Sequence, residues 1–434
     1  MAFLTDILLP VTLMLTGVFL TFRLDLVQLR YLKDGLKNTL SGIFSKEKSD
    51  GISPFAALAA SLGAQLGTGN IAGAGSAIVT GGPGAVFWMW TAAFFGMATS
   101  YSEAVLSQKT KVKHPDGHTD GGAPYYIKEA FSGKTGKLLS GAFCLFSTAA
   151  LGFTGVGVQS NSVSYALKEA FGLPVAVSAV FLTLFSLIIL RLDTKKLTSL
   201  SAKAIPLMTV LYVLVSISVI IKNIDMLGNA FLLIFRCAFS PGAFLGATFG
   251  ISVKTAVAQG IKRGLFTNEA GMGSTSAAHS LSDAPTPHYQ GTMGIAGVFI
   301  DTFLMLSLTA IAVICVLYRN PCEDLKLLSG SEAVSLAFSD VLGTRGASAF
   351  IAVSILLFAF ASIIGWSSFG KTSCIYLFGE KSSGIYTLSS LIFVFVGACI
   401  SSDFIWNLTD VFNAFMVFTN VPALIKLSSR IKKG

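Results

Sequence analysis

Apolar residues along this chain come in blocks of about 20, not in the alternating or one-sided patterns of a soluble domain. Eleven blocks can be drawn, roughly 4–22, 54–80, 84–108, 137–167, 173–192, 204–222, 228–257, 290–318, 346–378, 384–401 and 405–427. A helix of that length crosses about 30 Å of hydrocarbon, so the pattern predicts an all-α polytopic membrane protein of about eleven transmembrane helices. Residues 1–434 form one membrane-embedded domain with nothing left over for a soluble one.

Two blocks break the pattern. Residues 63–84, GAQLGTGNIAGAGSAIVTGGPG, hold eight glycines in 22 residues, and each glycine inside a helix costs about 1 kcal/mol relative to alanine. Block 228–257 contains SPGAFLGATFG, with Pro241, Gly242, Gly246 and Gly250. Eleven spans factor as one plus five plus five: residues 1–53 as an extra helix and basic loop, 54–222 as a first repeat and 228–427 as a second. An odd number of helices per unit sets the two units in opposite orientations, and each five begins with an interrupted span. Such paired interruptions mark the binding site of a secondary transporter, because unwound backbone is tolerated at membrane depth only where it lines a cavity. Gly63/Gly67 and Gly69/Gly73 could serve close helix packing alone; the second interruption in register favours the cavity.

Composition agrees with the pattern: 53% of residues are hydrophobic and 12% charged, against about 25% charged in a soluble domain, and the mean hydropathy is +0.71. The net charge of +9 reports orientation. With the N-terminus outside, 25 of the 31 Lys and Arg fall inside, in segments 23–48, 109–137, 191–203, 254–263, 371–381 and 426–433. The positive-inside rule therefore predicts a multi-pass protein of the cytoplasmic (inner) cell membrane, N-terminus outside and C-terminus cytoplasmic, with no nucleic-acid partner. The first span lacks a basic leader region and reads as a retained helix. Six cysteines stand singly with no CxxC, and HPDGHTDGG around His114 and His118 is full of helix breakers, so no zinc site or disulfide framework is predicted.

The distribution of acids narrows the chemistry. No Asp or Glu lies between Gly51 and Tyr101, nor between Asp225 and Lys262. A site built there offers hydroxyls, amides and backbone dipoles, which suits a zwitterion with a sodium ion. Proton coupling would employ an intramembrane carboxylate, for which Asp301 is the candidate; its alternative role is to hold neighbouring amides and hydroxyls. Glu269 reads as a gate with Arg263 or Lys262, or as a helix cap, and Glu103 as solvated at the cytoplasmic end of the third span. A channel would want rings of like residues, and an enzyme a nucleophile with its base. Neither pattern is present, so the chain reads as a non-enzyme without cofactor.

Three strings carry a resemblance. GTGNIAGAGSAIVTGGPGAVFWMWTAAFFGMATSYSEAVL, then GIKRGLFTNEAGMGSTSAAH with GVFIDT, then FAFASIIGW resemble the signatures of the sodium:alanine (alanine or glycine:cation) symporter family, amino acid carrier proteins, in the right order over nearly the whole chain. The resemblance implies a leucine-transporter-like fold of two inverted five-helix repeats plus one N-terminal helix. It implies sodium-coupled symport of small neutral amino acids, alanine and glycine, by alternating access. Carried over residue by residue, it implies substrate contacts at Thr68, Gly69, Gln159, Phe244 and Trp366, and sodium ligands at Ala64, Gly67 and Ser362. The chain departs from the family where Ala361 replaces a second hydroxyl before IIGW, and in GWSSFGK and GGAPYYI. The first change bears on ion affinity, the others on loop detail.

Overall fold

A computed structural model describes residues 3–44, 52–114, 119–190, 194–240, 252–319 and 323–432. Local sequence sets many helix starts. Ser53 accepts a hydrogen bond from Ala56 N with Pro54 in the first turn, Thr286 does the same for Tyr289 N ahead of Pro287, and Ser329 and Glu332 form a reciprocal capping box.

The helices are α1 (Leu9–Arg23), α2 (Val27–Phe44), α3 (Pro54–Gln65), α4 (Ala72–Gly81), α5 (Gly84–Thr110), α6 (Ala123–Ala130), α7 (Gly133–Ser147), α8 (Val156–Phe171), α9 (Val175–Leu190), α10 (Thr194–Lys222), α11 (Ile224–Cys237), α12 (Val253–Asn268), α13 (Ser276–Ser280), α14 (Pro287–Val298), α15 (Ser307–Leu317), α16 (Gly330–Phe378), α17 (Ser383–Cys399), α18 (Ser402–Lys426) and α19 (Ser428–Lys432). A wide-turn segment, Thr148–Gly155, joins α7 to α8, and another, Phe299–Leu306, joins α14 to α15. Two-residue strands Val112–Lys113 and Thr119–Asp120 pair antiparallel. Six helical runs among the described residues are long and apolar enough to cross a membrane, among them Gly133–Phe171, Pro287–Leu317 and Ser402–Lys426. The broken pair α3 and α4 packs at the centre, α3 against α10 and α16, α4 against α12 and α16, while α5 packs on α12, α14 and α1.

Most described helices fall within the predicted blocks. The predicted block 228–257 begins within α11 and takes in residues 241–251, which lie outside the described residues. Helix α11 turns 99° from Pro206–Lys222, because Asn223 is non-helical (φ −111°, ψ 33°) and polar contacts pin the corner: Asn223 Nδ2 donates to Asp340 at 2.7 Å and Arg319 pairs with Asp225 at 2.8 Å. The predicted second interruption, SPGAFLGATFG, lies outside the described residues, and Phe244 with it. Described instead is an interruption between α12 and α13.

Ion pairs identify the two ends of the bundle. Lys262 Nζ lies 2.8 Å from Asp6 Oδ1, near the chain's start. At the other end Lys109 Nζ donates to Arg430 O at 2.8 Å, and Arg430 pairs with Glu129. Lys262, counted above with the C-terminal face, therefore sits at the N-terminal end with Arg263 beside it. The interruption falls after α12, so these residues belong to a helix heading inward from that end. Moving them leaves the charge asymmetry in the same direction.

Candidate functional site

Helix α3 ends because Leu66 (ψ 55°) leaves the helical region. Gly67 is extended, Thr68–Asn70 make one tight turn, and α4 resumes at Ala72. The break bares carbonyls at the C-terminal end of α3 and N–H groups at the start of the next turn, the polarity that suits a cation on one side and an anion on the other. Ser362 Oγ on α16 donates to Gly63 O (3.0 Å) and Ala64 O (2.8 Å). Thr68 N donates to Gln159 Oε1 of α8 at 3.1 Å. A Cβ at Gly67 would lie 2.5 Å from Ser362 Oγ and 2.8 Å from Gln159 Nε2, so any side chain there would push those two polar groups aside. Thr68 Oγ1 and Gln159 Nε2 are buried and, among the described residues, have no hydrogen-bond partner. Buried donors such as these are expensive to leave unused.

The second break faces the first. After Asn268 the chain turns through Glu269 (φ 55°), Gly271 (φ 95°) and Gly273 (φ 76°) before α13. Gln65 Nε2 donates to Asn268 O at 2.8 Å. Asp301 joins both breaks: Oδ1 accepts from Asn70 Nδ2 (2.6 Å) and Thr267 Oγ1 (3.1 Å), and Oδ2 from Thr302 Oγ1 (2.9 Å). A Cβ at Gly69 would meet Thr267 at 3.0 Å and the Phe266 ring at 3.2 Å. Phe266 stands edge-on to Trp366, centroids 5.3 Å apart at 89°, and 4.4 Å from Trp406. Trp366 is buried, its Nε1 donating to Glu269 Oε1 at 2.7 Å and its ring seated over Gly155.

Thus Ala64, Gly67, Thr68, Gly69, Gln159 and Ser362 come together, and Trp366 reaches them through Phe266. Glu269 and Arg263 do not meet as a gate. Glu269 is held by Trp366 and Ser274, whereas Arg263 sits 3.8 Å from Asp410 and 4.2 Å over the Trp406 ring. Arg263 lies on α12 and Glu269 at its C-terminal cap, where the turn begins, so they face different neighbours. Glu103 is also not solvated: it is buried, accepting from Gly273 N (2.9 Å) and Asn420 Nδ2 (2.7 Å), while Asn420 Oδ1 accepts from Tyr126 (2.6 Å).

The family model for the sodium:alanine symporter family matches residues 1–433. The chain belongs to that family. It is 34% identical over 419 residues to the sodium/alanine symporter AgcS of Methanococcus maripaludis, covering 96% of this chain and 91% of the relative. It is 35% identical over 424 residues to the probable sodium/glutamine symporter GlnT of Bacillus subtilis, covering 97% and 85%, and 32% identical over 416 residues to the amino-acid carrier protein AlsT of the same species, covering 95% and 85%. The family is one of symporters, not enzymes, and the apolar helices fit a multi-pass membrane protein.

For this symporter-family chain, sequence reasoning missed Asn70, Glu103 and Phe266. A signal was available: Gly67-Thr68-Gly69-Asn70 at one break is echoed by Gly271-Met272-Gly273-Ser274 at the other. Basic residues just before the second string made it look like a cytoplasmic loop.

Proposed function

We propose that this protein carries a small neutral amino acid, alanine or glycine, into the cytoplasm together with sodium by alternating access, on two inverted five-helix repeats preceded by α1. The observation that carries the reading is the pair of unused buried donors, Thr68 Oγ1 and Gln159 Nε2, beside a hydroxyl already turned onto two α3 carbonyls. The substrate carboxylate takes Thr68 Oγ1, the Gly69 N–H and Gln159 Nε2. Sodium takes Ser362 Oγ with carbonyls of the α3 end, including Ala64 and Gly67. Trp366 and Phe266 wall the side-chain pocket, the place sequence reasoning gave in part to Phe244; they pass a methyl group and crowd out larger side chains. The tie through Asp301 makes the two breaks move as a unit.

The driving force suffices. One sodium ion crossing ~100 mV contributes about 2.3 kcal/mol, and a tenfold sodium gradient about 1.4 kcal/mol; the two support amino-acid accumulation on the order of several hundredfold. The relatives' names bear on the substrate class: one is a sodium/alanine symporter and another a probable sodium/glutamine symporter. The test is uptake of radiolabelled alanine into proteoliposomes at fixed pH, under an inward sodium or potassium gradient. Accumulation with sodium alone is expected, with Ser362 sufficient despite Ala361. Accumulation driven only by a proton gradient would overturn sodium coupling and move Asp301 to the centre of the mechanism.

A further inference from the structure

Helix α2 carries a surface that transport does not use. The apolar run Leu4–Arg23 ends at a sharp turn made by two consecutive residues with positive φ, Asp25 (55°) and Leu26 (57°), a conformation bulky L-residues rarely adopt. The chain thus leaves the spanning direction at the bundle's surface and at once forms α2. One face of α2 is fixed to the protein. Gln28 Nε2 donates to Thr21 Oγ1 at 2.9 Å and Asn38 Nδ2 to Thr292 Oγ1 at 3.1 Å. A Cβ at Gly35 would lie 2.3 Å from Thr292 O, and Tyr31 packs edge-on to His288 with centroids 4.5 Å apart. The helix cannot roll without breaking these contacts.

The opposite face is therefore held outward, and it is apolar. Leu29 is 62% exposed, Leu40 59% and Ile43 42%, and with Leu36 they follow helical spacing. Lys33 and Lys37, four residues apart and both exposed, run along one side of the strip, and with Leu29, Leu36 and Leu40 they are among the residues lining a shallow, open depression on α2. An apolar strip flanked by lysines at the point where a spanning helix ends has the layout of an interfacial helix: acyl chains against the leucines, a headgroup between the lysines.

We infer that α2 seats an anionic phospholipid of the adjacent leaflet, with acyl chains along Leu29, Leu36 and Leu40 and its phosphate between Lys33 and Lys37. The occupant is a lipid and not a second protein because the strip begins where the apolar, span-length run Leu4–Arg23 ends, and because Lys33 and Lys37 beside it offer cations to a phosphate. The seat is joined through Gly35 and Asn38 to α14, the helix that continues into the segment bearing Asp301.

The test uses the full chain in nanodiscs of phosphatidylcholine doped with phosphatidylglycerol, with retained lipids counted by native mass spectrometry. The wild type is expected to retain phosphatidylglycerol in preference to phosphatidylcholine. The double variant Lys33→Gln/Lys37→Gln should lose affinity for it by about 30-fold, the conversion of about 1 kcal/mol per lysine, with unchanged thermal stability showing that the bundle is intact. Leu29→Ser/Leu40→Ser, with both lysines kept, should weaken retention of the same lipid. Equal retention by wild type and the lysine variant, or no preference of the wild type for the anionic lipid, overturns the proposal. So does cross-linking of position 40 to its copy in a second chain, which would assign the strip to a dimer interface.

Discussion

Gln159 occupies two roles at one point. Its Oε1 accepts from Thr68 N, and its Nε2 is a buried donor without a partner among the described residues. The substitutions Ala and Glu separate the roles. Gln159→Ala removes both, so the apparent KM for alanine should rise about 10- to 100-fold, the range for a hydrogen bond to a charged group. Gln159→Glu keeps an acceptor for Thr68 N but sets an anion against the substrate carboxylate; it should leave the protein monodisperse and stop alanine binding. Radioligand binding beside size-exclusion chromatography checks both, and unchanged alanine affinity in the Ala variant would remove Gln159 from the site. Ser362→Ala tests the ion in the same manner. It deletes the hydroxyl that faces the carbonyls of Gly63 and Ala64, and the sodium concentration for half-maximal binding should rise roughly tenfold or more. An unchanged sodium dependence would place the ion elsewhere.

At the scale of elements, the first break was legible and the second was not, for a physical reason. Glycine density and the absence of acids between Gly51 and Tyr101 expose the first, because such a run serves neither a stable helix nor a polar loop. The second follows a full helix, contains Asn268 and Glu269, and stands next to Lys262 and Arg263; by composition it looks like an exposed loop. Only tertiary packing makes it interior, with Trp366, Ser274, Gly273 and Asn420 taking up the hydrogen bonds of Glu269 and Glu103. The long apolar helices were legible because about 20 apolar residues in a row have few alternatives, whereas Phe266 was hidden among 35 phenylalanines. Asp301, which ties the breaks, yields the prediction at this scale. Asp301→Asn keeps an oxygen for Asn70 and Thr267, and its amide can donate to Thr302 if that hydroxyl turns. Sodium-dependent uptake should survive within about tenfold. Asp301→Leu leaves Asn70 and Thr267 without their acceptor and should abolish alanine binding. Loss of uptake in the Asn variant together with loss of its pH dependence would instead identify Asp301 as a proton carrier.

For the molecule as a whole, a cluster of charges joins the elements at the end of the bundle that holds Asp6. Lys262 bridges Asp6 (2.8 Å) and Asp410 (3.6 Å), Arg263 approaches Asp410 (3.8 Å), and the guanidinium lies over Trp406, whose ring packs at a tilt against Phe266. The group links the start of the chain, α12 and α18. Under the alternating access proposed above, these elements would separate when this end opens, and the strength of the cluster would set how often it does. Asp410 is 4% exposed, and removing one partner of a buried ion pair costs about 3–5 kcal/mol by stranding the other. Here Lys262 keeps Asp6 and Arg263 keeps Trp406, so Asp410→Asn should loosen this end without unfolding the bundle. The readout is a Phe266→Cys background probed with a membrane-impermeant maleimide applied to the Asp6 face. Labelling should accelerate several-fold with Asp410→Asn and return toward the starting rate with Asp410→Glu, since an equilibrium between open and closed ends responds only to interactions that differ between them. A labelling rate indifferent to residue 410 would make the cluster a packing feature.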